Sequence, residues 1–130
     1  MNELIQGDRT RDYIMLMLGA PVLHVELHED QLKLAIIESQ EYVMNAVPAE
    51  HMEKNPVETN RLIRVGALGY AKLMLGRIRS KYKEGVPGPN PKRGIQLHGG
   101  ELIEEGNRDI SRWKSEVSCF RQAALSLPNE

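Results

Sequence analysis

The sequence has a single cysteine, Cys119, among its 130 residues, so no disulfide can form within the chain. Chains of this length bury enough apolar surface to fold without disulfides or metals. A nearly cysteine-free chain is typical of proteins made in a reducing compartment, and we expect that origin here.

Aromatic residues and net charge are both scarce. Phe, Trp and Tyr together make up 5% of the chain, and the formal net charge is −1. Surfaces that stack on bases need aromatic side chains, and nucleic-acid-binding proteins usually carry a strong basic excess. Both values argue against a dedicated nucleic-acid-binding protein.

Long apolar runs are missing as well. The most apolar stretch, residues 62–78, contains Arg64, Lys72 and Arg77, whereas a membrane helix requires about 18 uncharged residues. The first eight residues have neither the basic start nor the apolar core of a signal peptide. We therefore expect a protein that is neither membrane-embedded nor secreted.

Helical patterns occupy most of the chain, and its length suits one domain, residues 1–130. We predict a mainly α fold of about four helices, with extended residues at 21–27 and a loop at 49–54. The predicted helices run from Asp8 or Thr10 to Gly19, from Glu29 to Pro48, from Pro56 to Gly85, and from Glu101 to a point before Pro128.

The third predicted helix is the longest. Asn55 is its predicted N-cap, Pro56 suits the first helical position, and Glu58 completes a capping box. Its roughly 28 residues would span ~40 Å, whereas a compact globule of this size is roughly 36 Å across. We therefore expect an elongated subunit that obtains its missing contacts in an oligomer.

One face of this long helix is rich in glycine, at Gly66, Gly69 and Gly76. Each glycine costs about 0.8–1 kcal/mol relative to alanine inside a helix, so something must compensate. Close approach of another backbone would do so, and we predict a close helix contact here, as part of a subunit interface. The alternative is a soft, kinked helix.

The second and fourth predicted helices each have an apolar stripe. Leu34 and Ile37 lie off the stripe of the second helix, which predicts a second apolar face, covered by the chain itself or by a neighbouring chain. We expect Trp113, central to the fourth helix, in the core or at a subunit seam. The stripe of the second helix comprises Leu32, Ala35, Ile36, Ser39, Val43 and Ala46, and that of the fourth comprises Ile103, Gly106, Ile110, Trp113, Val117, Phe120 and Ala124.

Residues 85–94 are rich in proline and glycine, which excludes regular structure there. Residues 95–98 then form either a brief strand, as in a short β hairpin, or part of an extended arm. We predict an arm at residues 85–100 that becomes ordered against a partner, the alternative being a loop folded back on its own helices. Its docking residues would be Lys92, Arg93, Ile95 and Leu97.

Candidate catalytic and metal-binding residues are few. His24 and His28 have the spacing of zinc-binding helices, but they straddle a junction of extended chain and helix and lack the remaining motif residues. Cys119 flanks an apolar stripe with no base near it, which favours partly buried packing over catalysis. The simplest interpretation of Glu104 and Glu105 is that both lie on a solvent-exposed face of the fourth predicted helix. We expect no enzyme, no cofactor and no metal site.

Charge is distributed unevenly. The helix dipole explains part of the basic cluster, which lies at the end of the long helix and beyond it. A basic end and an acidic helix also permit head-to-side pairing between copies, and such contacts can close into rings. The basic residues are Arg77, Arg79, Lys81, Lys83, Lys92 and Arg93, and the acidic ones are Glu26, Glu29, Asp30, Glu38 and Glu41.

The first third of the chain has a distinctive series of short motifs: Leu18-Gly19-Ala20-Pro21-Val22, Val25-Glu26-Leu27, Glu29-Asp30-Gln31-Leu32, Ala35-Ile36 and Tyr42. In these motifs it resembles the N-terminal region of small tailed-bacteriophage neck proteins, the head–tail connector (adaptor) family. His28 departs from the more usual Ser, Thr or Asp cap, and beyond Pro48 the similarity is one of helical layout.

The resemblance implies a virion protein made in the host cytoplasm. Its copies would form a ring, usually of twelve, beneath the portal protein and next to a further neck or tail protein. Genomic DNA would pass through the lumen without sequence-specific contact, and neither a membrane nor catalytic residues would be involved. The residues leave open a second interpretation, a small helical regulatory or nucleic-acid-binding module that uses the basic end of the long helix.

Overall fold

The computed structural model describes residues 7–81 and 98–125. Within these ranges the chain forms helices and no strand, which confirms the predicted mainly α fold. The predicted arm, with Lys92, Arg93, Ile95 and Leu97, and the suggested hairpin lie almost wholly outside the described residues. The helices are α1 (Gly7–Met17), α2 (Glu29–Ala46), α3 (Ala49–Lys54), α4 (Pro56–Lys81) and α5 (Gly99–Leu125).

Helix α1 ends at a glycine turn, as the sequence predicts. Gly19 has a φ of 108°, a conformation that glycine adopts without steric cost. The Ala20 N–H donates to the Met15 carbonyl at 2.9 Å and the Gly19 N–H to the Leu16 carbonyl at 3.1 Å. This pair of bonds is the Schellman arrangement, which satisfies carbonyls that the helix end leaves free.

Helix α2 begins at the predicted residue, with a histidine as its cap. The Asp30 N–H donates to Nδ1 of His28 at 3.1 Å, and the His28 N–H donates to Oε1 of Gln31 at 2.8 Å. His28 thus performs the reciprocal capping usually performed by serine or threonine. Glu29 and Asp30 add negative charge in the first turn, where the helix dipole favours it.

The loop predicted at residues 49–54 is wrong, because these residues form α3. Met52 is 1% exposed and packs in one cluster with Leu62 and Ile63 of α4, so burial stabilises a helix too short to persist alone. Asn55 caps the end of α3, its side-chain nitrogen donating to the His51 carbonyl at 2.9 Å. Glu58, predicted to complete a capping box, accepts hydrogen bonds from the Arg61 guanidinium.

Helix α4 is the predicted long central helix, since α1, α2, α3 and α5 all pack against it. Its neighbours α2 and α5 both run antiparallel to it. Near the start of α2, Leu32 and Ala35 share a cluster with Ala71 and Leu75. Near its end, Val43 lies in a second cluster that includes residues 62 and 63. The buried core therefore extends along α4 on several of its sides.

The glycines of α4 lie in a close contact with α5, and α4 is helical throughout Pro56–Lys81. A Cβ at Gly66 would overlap the Trp113 ring, and one at Gly69 would lie 2.9 Å from Cγ1 of Ile110. A Cβ at Gly76 would lie 2.8 Å from the Gly99 carbonyl oxygen. The predicted close helix contact is thus confirmed.

The glycine contact lies within one chain, which corrects the placement of Gly66, Gly69 and Gly76 at a subunit interface. Their partner is the stripe of α5, whose members Gly106, Ile110, Trp113 and Val117 are buried as predicted. The two helices share an alternating spacing of three and four residues, so each glycine meets a large side chain or a backbone group of α5.

Candidate interaction surface

The outward face of α2 carries exposed apolar side chains. Leu34, Ile37 and Met44 are 48%, 45% and 37% exposed. Together with Glu41 they are spaced three, four and three residues apart, which places them on one side of a helix. The opposite side of α2 is buried at Leu32, Ala35, Ser39 and Val43. We call Leu34, Ile37, Glu41 and Met44 the α2 stripe.

The acidic residues near this face divide into two groups. Glu38 and Glu41 are exposed, as is Asp30 with 81% of its side chain accessible. Glu29 instead accepts a hydrogen bond from the Arg11 guanidinium at 2.6 Å. Glu26 is half-buried and acts electrostatically on Arg79. Cations of the same chain therefore offset part of the predicted acidic surface.

The basic end of α4 is smaller than predicted. Arg77 and Lys81 are exposed, but Arg79 is buried at 7% exposure. Burial lowers the pKa of Arg79, and the negative charge of Glu26 opposes that shift. Lys83, Lys92 and Arg93 lie outside the described residues.

A groove of about 250 Å³ lies between α2 and α5 near the C-terminal end of each helix. Lys114 adds a positive charge close to it, with Nζ 5.1 Å from the centre of the Tyr42 ring. No lining residue is acidic. We call this the α2–α5 groove, and its lining residues are Tyr42, Asn45, Ala46, Val117, Ser118 and Arg121.

An ion-pair cluster with a buried lysine and two partly exposed carboxylates joins α4 to α5. Nζ of Lys72 lies 2.6 Å from Oδ2 of Asp109 and 2.9 Å from Oε1 of Glu105. Burial alone would lower the pKa of Lys72, but the hydrogen bonds and charges of the two carboxylates outweigh it and raise the pKa. Lys72 is therefore firmly protonated, and Glu105 is not the simple solvated residue predicted.

Trp113 lies where three helices meet, which confirms its predicted place in the core. It is 1% exposed, and its indole N–H donates to the Leu62 carbonyl at 2.7 Å. The ring of Tyr42 lies 5.0 Å from the indole and that of Tyr70 lies 5.9 Å away, edge-on. These contacts link α2, α4 and α5 at one point.

The remaining candidate side chains from the sequence do not lie together in one site. Cys119 is exposed, contrary to the predicted partial burial, because its position one step from the stripe turns it to the outside. His51 packs against Phe120 with ring centres 4.4 Å apart and the ring planes tilted by 46°. Over residues 7–81 and 98–125, no three histidine, cysteine or acidic side chains are grouped as metal ligands would be.

In the described part of the chain, every helix is too short or too polar to cross a membrane. Comparison with protein families, with curated proteins and with solved structures finds no match to this chain.

Proposed function

We propose that the chain is a structural subunit of a tailed-bacteriophage neck, a head–tail connector that joins capsid to tail. Its copies assemble into a ring beneath the portal, a further neck or tail protein binds the ring, and genomic DNA passes through the lumen. The protein resides in the virion and has no enzymatic role. The proposal starts from the resemblance of the first third of the chain to connector proteins.

The α2 stripe is the observation that supports this function best. Leu34, Ile37 and Met44 expose three large apolar side chains on one face of α2, and burying such surface contributes roughly 25 cal/mol per Å². Exposed apolar residues grouped on one helix face, here with the single carboxylate of Glu41 among them, favour a protein partner. A repeated subunit is the simplest such partner.

Rigid helix packing favours a structural role as well. The glycine contact brings α4 and α5 together without room for an added methyl group, and the cluster of Lys72, Glu105 and Asp109 fixes their register. A stiff pair of long helices can hold a surface on α2 at a constant orientation. Subunits of a closed ring need that constancy, because angular errors accumulate from one copy to the next.

The test replaces Ile37 by aspartate in the full chain and measures mass by size exclusion with light scattering, alone and with a portal protein. Wild-type protein should form a ring, and Ile37→Asp should weaken assembly at least about tenfold by placing a charge in the contact. Val57→Asp is the matched control, because Val57 is 81% exposed and lies outside the α2 stripe. Wild-type protein that stays monomeric in both conditions contradicts the proposal.

The regulatory or nucleic-acid-binding module remains the second candidate, favoured by the exposed Arg77 and Lys81. In that case the chain should bind duplex DNA with an affinity that falls as salt rises, because each phosphate contact releases counterions. Replacing both residues by glutamine should then reduce the salt dependence. Fluorescence anisotropy with labelled DNA measures both effects.

A further inference from the structure

The α2 stripe and the α2–α5 groove are complementary in charge. The stripe has Glu41 among its apolar side chains and no cation. The groove has Arg121 in its lining and Lys114 at Tyr42, and no acid. Asn45, Ser118 and Arg121 are exposed residues of this lining, so a ligand can reach their side-chain donors.

Stripe and groove cannot meet within one molecule. Both surfaces lie on the same rigid helix, where Glu41 of the stripe is one turn before Asn45 of the groove, so a stripe cannot fold back into the groove of its own molecule. Only a second molecule can present a stripe to the groove.

We propose that the α2 stripe of one copy docks into the α2–α5 groove of another copy, with Glu41 of the first facing Arg121 of the second. This inference rests on the proposed self-assembly and names the contact that performs it. Ala46 and the Tyr42 ring, both partly exposed, line the part of the groove that receives an aliphatic side chain of the stripe. The Arg121 guanidinium offers the paired donors that match a carboxylate.

Charge reversal tests this contact, with sedimentation velocity of the full chain over a concentration series. Arg121→Glu and Glu41→Arg should each weaken self-association at least about tenfold, because each sets like charges against each other. The double variant restores opposite charges across the contact and should recover most of the wild-type association. Arg112→Glu is the control, since Arg112 is an exposed cation of α5 outside the groove.

The outcomes distinguish failure of the contact from failure of the connector function. Single variants that associate like wild type, a double variant that fails to recover, or wild-type protein that stays monomeric at millimolar concentration would overturn the contact. A ring that withstands both reversals leaves the connector function standing and the contact wrong. An assembly of only two copies that the reversals dissolve supports the contact and contradicts the ring. Far-UV circular dichroism confirms that the variants are folded.

Discussion

A methyl group added at Gly66 tests whether the close contact of α4 and α5 determines stability. In an open helix, replacing glycine by alanine stabilises by about 0.8–1 kcal/mol, because alanine loses less backbone entropy on folding. At Gly66 the new Cβ would overlap the Trp113 ring and Oγ of Ser39. The gain in helix propensity raises the free energy of unfolding and the overlap lowers it, so the sign of the measured change shows which effect is larger.

The structure favours destabilisation by Gly66→Ala. Overpacking a well-packed core costs typically about 1–3 kcal/mol. Neither obstacle moves freely, because the Trp113 N–H is bonded to the Leu62 carbonyl and the Ser39 hydroxyl donates to the Ile63 carbonyl at 2.7 Å. Displacing either side chain weakens a buried hydrogen bond worth about 1 kcal/mol. Subtracting the gain in helix propensity leaves a net loss of about 1–3 kcal/mol.

Urea denaturation followed by far-UV circular dichroism measures this loss as a lower midpoint. Gly100→Ala is the control, because a Cβ at Gly100 of α5 has no atom within 4 Å, and we expect no loss of stability there. A Gly66→Ala protein as stable as wild type, or more so, would refute the reasoning. A Trp113→Leu background should reduce the cost of Gly66→Ala, since it removes the main obstacle.

The remaining predictions concern Lys72 and Trp113, which join α4 to α5. Lys72→Ala should lower the free energy of unfolding by about 2 kcal/mol, as measured by urea denaturation. The loss is smaller than is typical for a broken buried ion pair, because Glu105 and Asp109 stay partly exposed. A variant as stable as wild type would contradict this. The raised pKa of Lys72 contributes stability that is fully present below its ordinary value of 10.5 and is lost as pH rises through the higher folded-state pKa. Alkaline titration should show that fall, and a Lys72→Met protein should lack it. Trp113→Phe should cost about 1–3 kcal/mol, because the Leu62 carbonyl loses its buried donor. The emission of Trp113 in folded wild type should be blue-shifted, and a water-like maximum would contradict its burial.

Periodicity predicts the parts of the fold that depend on one helix at a time. The spacing of Gly66, Gly69 and Gly76 predicts a face for close contact, and the spacing around Trp113 predicts the stripe that fills it. The outward position of Leu34 and Ile37 follows from the same reasoning. Such patterns do not show whether a helix face is covered by the same chain or by another. The sequence therefore predicts the glycine contact between subunits, whereas the structure has it within one chain.

The features that the sequence did not predict depend on tertiary contacts. The helix α3 is stabilised by the burial of Met52 against α4. Lys72 meets Glu105 and Asp109 only in the register that places Gly69 against Ile110, across more than 30 intervening residues. If that register were known, the spacing of Glu105 and Asp109, four residues apart on α5, would identify Lys72 as their partner.

The central position of α4 has a consequence for how the molecule opens. Each of the other described helices packs on α4, and the buried residues of α4 lie on several of its sides. If one neighbouring helix separates, part of the core that it shares with the other helices becomes exposed. Opening of α4 itself requires all its neighbours to separate. In native-state hydrogen exchange, the middle amides of α4 should therefore exchange only through global unfolding, whereas those of α1 and α3 exchange through smaller local openings. We therefore expect the described helices to unfold cooperatively around α4, with α1 and α3 as their least stable parts.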